Sequence, residues 1–239
     1  MKRVLADISA VLASILLIIA ILILSIEAFA INPHFFQNEY QKLDTAQSIG
    51  MSEEDLSVVT RGLLGYTTGS RDSLDMKAAI GGQYREVFGT REKDHMIDVK
   101  ALYMGSRTLR IVSLAGAAFF IIIAFILKGK KTVRTLCRSF LSVSGAFVIV
   151  VAAIGIYAAI NFTAFWASFH HVFFSNDLWK LDPRTDVLIM MVPERFFSDL
   201  VARIIIRFIS IFTVLNVAAF MGTILYKKTQ KRKTAKEAN

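Results

Sequence analysis

Four apolar stretches limit what this chain can fold into. Three of them, about 4–31, 111–127 and 208–226, are long enough to cross a hydrocarbon core of about 30 Å, which needs about 20 residues of helix. A fourth, 140–160, has scattered Ser and Gly but no charge. With their flanking turns they predict four transmembrane helices, about 4–31, 107–128, 138–160 and 200–226. The remainder agrees: 54% hydrophobic residues and a mean hydropathy of +0.52 are too apolar for an ordinary soluble domain. The expected class is a mainly α membrane protein, one polytopic domain over residues 1–239.

Charge sets the expected orientation. The net charge is +9, a value that suggests nucleic acid only when its distribution is ignored. Lys2 and Arg3 lead the first stretch. Lys128, Lys130, Lys131, Arg134 and Arg138 fill the link between the second and third, without an acid. Lys227, Lys228, Lys231, Arg232, Lys233 and Lys236 follow the fourth, against Glu237. These segments belong inside by the positive-inside rule. The two segments 32–106 and 161–199 hold sixteen acids and eleven bases and belong outside. Both termini are therefore expected in the cytoplasm, with an extracellular cap built from the two outer segments. Topology and anionic lipid headgroups account for the basic tail without nucleic acid. The start of the first stretch, with Ala28-Phe29-Ala30 after it, mimics a signal peptide. Its apolar run exceeds the usual length of such a region, so a retained anchor is expected. The single cysteine, Cys137, excludes an internal disulfide and a cysteine-rich zinc cluster, and is read as a small inert residue at a helix start.

Outside the spans the chain carries local signals. Asn32-Pro33 predicts a helix cap with proline in the first turn, and His34 behind it reads as an interfacial residue. Ser52-Glu53-Glu54-Asp55 resembles a capping box. Leu56, Val59, Leu63 and Leu64 recur behind it at helical spacing, which predicts a short amphipathic helix ending near Gly65-Tyr66. Residues 70–90, with Gly81-Gly82 and Gly89, predict turns and short strands. Their glycines fit no nucleotide-binding pattern. Asp182-Pro183 predicts a turn or short helix, and Pro193-Glu194 predicts the start of the helix that enters the last span.

Two polar clusters stand out. Arg91-Glu92-Lys93-Asp94-His95-Met96-Ile97-Asp98-Val99-Lys100 leads towards the second span. Its acids can raise the basicity of His95 or fix its tautomer; the plainer reading is a solvated charged turn. The other cluster, Trp166 to Phe174, sets His170 and His171 among Trp166, Phe169, Phe173 and Phe174, with Asp177 and Trp179 downstream. Aromatics at this density suit a membrane–water boundary, but a belt does not account for two histidines. Adjacent side chains point about 100° apart on a helix and oppositely on a strand, so at most one of this pair faces a given site. No Gly-x-Ser-x-Gly elbow and no His-Glu-x-x-His occurs. The spacing carries no metal signature. Acid–base chemistry by two histidines from two outer segments remains, on a lipid-like or acylated substrate. A metal-dependent membrane hydrolase and a non-enzymatic sensor or binding protein are the competing readings.

At these residues the sequence resembles the lipoprotein intramolecular transacylase family of Gram-positive bacteria. The resemblance rests on Arg91-Glu92-x-x-His95-Met96-x-Asp98-Val99-Lys100, on Phe169-His170-x-x-Phe173-Phe174, and on Asn176-Asp177-x-Trp179-x-x-Asp182-Pro183 and Pro193-Glu194-x-Phe196-Phe197. It implies transfer of an acyl chain from the glyceryl sn-2 ester to the free α-amino group of the N-terminal cysteine of a diacylglyceryl lipoprotein, giving the lyso form. It implies His95 and His170 as catalytic, with His171 a bystander, at the outer face of the cell membrane, and no metal, cofactor or nucleotide. Asp94 or Asp98 is then expected to orient His95, and Asp177 to orient His170. Arg91, Lys100 or backbone amides are the expected oxyanion donors. Trp166, Phe169, Phe173, Phe174 and Trp179 are the expected walls of the substrate pocket.

Overall fold

The computed structural model describes residues 1–237. The side chains of the basic tail at 231–233 and 235–237 lie outside the described residues. The chain is mainly helical, and three of its helical runs are long and apolar enough to cross a membrane: Lys2–Ala30, Thr90–Ile160 and Glu194–Gln230. The middle run holds two of the apolar stretches. A 3-10 turn at Gly129–Lys131, entered at a left-handed Gly129 (φ 56°), divides it into α5 (Thr90–Lys128) and α6 (Thr132–Ile160). Thr132 Oγ1 donates to the Ala124 carbonyl at 2.8 Å across that turn.

Two compact units are formed, and α5, α6, α1 (Lys2–Ala30) and α9 (Glu194–Glu237) contribute residues to both. The apolar unit comprises Met1–Ser25, Thr108–Ile156 and the chain from Ile205 on. Phe140 and Phe147 of α6 pack on Phe208 and Phe212 of α9, with Ile18 and Ile21 of α1 buried in the same cluster. Small residues let these helices approach closely, as membrane packing favours. A Cβ added at Gly116 would stand 2.9 Å from the Leu16 side chain, and one at Gly222 would stand 2.9 Å from Cys137 Sγ. Cys137 is thus a packing residue against α9. Large apolar side chains such as Ile122, Ile149 and Val214 remain exposed, as a lipid-facing surface requires.

The second unit comprises Ile26–Arg107 and Tyr157–Ile204. Asn32 caps α2 (Pro33–Lys42) by accepting from the His34 amide, and Pro33 occupies the first turn. A short α3 (Thr45–Ile49) precedes α4 (Glu53–Thr68), which Ser52 caps by accepting from the Asp55 amide. The helix α4 passes Gly65-Tyr66, where the sequence predicts its end, and stops at Thr68. Thr67 and Thr68 bond back to the Leu63 and Leu64 carbonyls, and the left-handed Gly69 terminates it (φ 80°). The strands β1 (Lys77–Ile80) and β2 (Gln83–Glu86) pair antiparallel around Gly81-Gly82, both with positive φ. Further on, α7 (Phe162–Phe173) and α8 (Val187–Met191) complete the unit. Its core gathers Phe36 and Tyr40 of α2, Leu56 and Leu63 of α4 and Met191 of α8 around Phe196, which is fully buried.

Candidate active site

The segment read as a charged turn is helix. The α5 helix begins at Thr90, so His95 lies in its second turn, on the same helix that becomes apolar after Arg110. Glu92 fixes that start. It is 2% exposed, one turn before His95, and its carboxylate accepts from the Gly89 amide and the Leu188 amide, each at 2.6 Å. Burial pushes the Glu92 carboxyl up, while the two amide bonds hold it down. One acid therefore caps α5 and binds it to the start of α8. His95 and Met96 are buried behind it.

His170 comes from α7. Asn161 caps this helix by accepting from the Ala164 amide. His170 Nδ1 sits 2.7 Å from the Trp166 carbonyl one turn back. His170 is buried and His171 exposed, the divergence expected of neighbours on a helix. Rings enclose His170. Trp179 stacks on it at 4.5 Å, Trp166 meets it edge-on at 4.8 Å, and Phe169 and Phe174 lie at 5.5 and 5.7 Å. Phe174 also meets His95 edge-on at 5.3 Å. The two imidazole centroids are 6.3 Å apart.

The loop after α7 is clamped to α5 twice. Asn176 donates to Asp98 at 2.8 Å, and Arg91 donates to the Asp177 carbonyl. These contacts revise several sequence expectations. Asp98 holds Asn176 rather than a ring nitrogen of His95. Asp94 is exposed. The Asp177 carboxylate pairs with Lys180 at 2.7 Å, and a backbone carbonyl of its own helix orients His170 instead. Lys100 lies over the Tyr66 ring at 4.3 Å and reaches the Arg71 carbonyl. Phe173 is half exposed and rests on Phe169. Glu92 and Asn176 received no role from sequence, although both stand in the motifs. Their partners, Leu188 and Asp98, are too distant along the chain for local spacing to indicate.

Electrostatics favour neutral rings. His95 is pushed down to about 4, chiefly by burial, then by the charge at His170, with Asp98 opposing and Arg91 adding. Burial also lowers His170, against its bond to the Trp166 carbonyl. A carbonyl only accepts, so the neutral His170 carries its proton on Nδ1 and keeps a lone pair on Nε2. That nitrogen is equipped to take a proton at neutral pH.

The family model described as "Lipoprotein intramolecular transacylase Lit" matches residues 11–197, a span that includes both histidines. The chain belongs to this family. No curated protein matches the sequence. Among solved structures, the in meso structure of the membrane-integral lipoprotein intramolecular transacylase Lit from Bacillus cereus is similar at 20% identity. The match covers 98% of each chain with a TM-score of 0.69. A variant of that protein with one histidine changed to arginine matches at 20% identity over 99% of this chain and 95% of that one, with a TM-score of 0.63. The Lit likeness extends over nearly the whole fold, which is that of a membrane-integral protein.

Proposed function

We propose that this protein moves an acyl chain within one diacylglyceryl lipoprotein, from the glyceryl sn-2 ester to the α-amino group of the N-terminal cysteine, by acid–base catalysis at His95 and His170. The observation that carries this reading is the meeting of two buried histidines from separate segments inside an aromatic enclosure. An α-amino group has a pKa near 7.7–8 and must lose a proton to attack. His170 Nε2 is the base for it. The departing glyceryl alkoxide needs a proton, and the His95–His170 pair returns to it the one taken from the amine. Ester to amide is downhill, so no nucleotide enters. Amine and ester share one molecule, so the enclosure's main work is to hold a near-attack geometry. In the same reading four spans leave both termini in the cytoplasm, and residues 32–106 and 161–199 form the extracellular cap.

The test uses purified protein in detergent and a synthetic diacylated lipopeptide with a free N-terminal cysteine, followed by mass spectrometry. An isobaric product whose fragments carry one acyl chain on the amine is expected. His95→Ala and His170→Ala should each lower the rate by about 10²-fold or more, while His171→Ala loses far less. Loss of one acyl mass would identify a hydrolase. An unchanged peptide with well-folded protein would point to a binding protein.

A further inference from the structure

Three buried side-chain nitrogens lack a hydrogen-bond partner among the described residues: His95 Nδ1, Trp179 Nε1 and Arg134 Nε. Two of the three belong to the site just described. A buried donor without an acceptor works against folding, so a retained one calls for an explanation. An indole N–H only donates, and its natural complement is an oxygen, most strongly an anionic one. The Trp179 ring is held flat on His170, with 26° between the planes. Its loop is fixed on either side. Asn176 and the Asp177 carbonyl are tied to α5, the Leu181 amide donates to the Trp179 carbonyl at 3.0 Å, and Lys180 lies over the indole at 5.3 Å. The basic side chains that sequence suggests as oxyanion donors are engaged elsewhere: Arg91 with the Asp177 carbonyl, Lys100 with Tyr66 and the Arg71 carbonyl.

We infer that the Trp179 indole N–H is an oxyanion donor for the acyl transfer, donating to the carbonyl oxygen of the sn-2 ester as charge develops there. The inference rests on the transacylase reading above. In the first step the amine nitrogen bonds to the ester carbonyl carbon. The carbonyl π pair moves onto oxygen, which accepts from Trp179, and the amine proton passes to His170. On collapse the glyceryl C–O bond breaks, and the alkoxide leaves with a proton from the histidine pair. The donor is fixed before charge forms, so no reorganisation is needed as it forms.

The decisive substitution is Trp179→benzothienylalanine, which replaces the N–H with sulfur and keeps the ring's size and stacking. In the lipopeptide assay kcat should fall about 10²-fold, the usual effect of removing one oxyanion donor, with KM little changed. The variant's melting temperature should hold or rise, since an unpaired buried donor is gone. Wild-type transfer with an unchanged kcat in this variant would overturn the inference and leave the transacylase reading standing. No transfer by wild type would defeat the reading itself. A second measurement is independent of how the variant folds. The chain has two tryptophans, so 15N-labelled protein gives two indole signals, assigned with Trp166→Phe. A lipid-tailed phosphonate that mimics the tetrahedral adduct should move the Trp179 indole proton downfield. No movement at saturation would equally overturn the inference.

Discussion

At the scale of single residues, solvent exclusion and one backbone carbonyl define the chemistry. Burial and the charge at its neighbour hold His95 down near 4, well below its ordinary 6.5. An imidazole in this state is uncharged across the neutral range and already desolvated. The same shift ties stability to pH. Between about 6.5 and 4 the unfolded chain binds the proton and the folded chain does not, so stability falls as pH falls through that window and levels off below it. The loss is on the order of 3 kcal/mol for His95, and His170 acts in the same direction. Unfolding midpoints in detergent between pH 7 and pH 4 should drop steeply for wild type and less steeply for His95→Gln. Equal slopes would mean that His95 is solvated. The trend is the reverse of that for a salt-bridged histidine.

At the scale of elements, the site depends on one joint between helices. Glu92 accepts from an amide at the start of α5 and from another at the start of α8, so it ties both helix starts together one turn before His95. Glu92→Gln keeps the shape but turns an NH2 towards an amide N–H. One buried backbone donor is then left unpaired, at about 1–3 kcal/mol. The variant should melt lower and lose activity through a displaced His95. A variant as stable and active as wild type would show that this joint is dispensable. The Asn176–Asp98 bond is the corresponding joint for the loop that carries Trp179.

At the scale of the molecule, orientation in the membrane is the property to test. In a Cys137→Ser background, Asp72→Cys and Lys130→Cys place single thiols at exposed positions in the proposed outer and inner segments. A membrane-impermeant maleimide should label residue 72 in intact cells and reach residue 130 only after lysis. Labelling of both, or the reverse pattern, would refute the four-span topology. The sequence is sufficient for this prediction because apolar length and the placement of Lys and Arg are properties of the chain itself.

Much of the local structure was legible for the same reason. The cap at Asn32-Pro33, the start of α4 at Ser52, the turn at Gly81-Gly82 and the divergence of His170 from His171 all depend on neighbours a few residues apart. The end of α4 lies beyond Gly65-Tyr66 because Gly65 is helical and the left-handed stop comes at Gly69. The stretch 91–100 looked like a charged turn because its polar faces conceal two buried side chains, Glu92 and His95. What only the tertiary structure decided is who meets whom. The partner of Asn176 lies 78 residues away and the second partner of Glu92 lies 96 residues away. Contacts at that separation leave no periodic trace, so the neutral state of both rings, the proton on His170 Nδ1 and the unpaired indole of Trp179 follow from the fold alone.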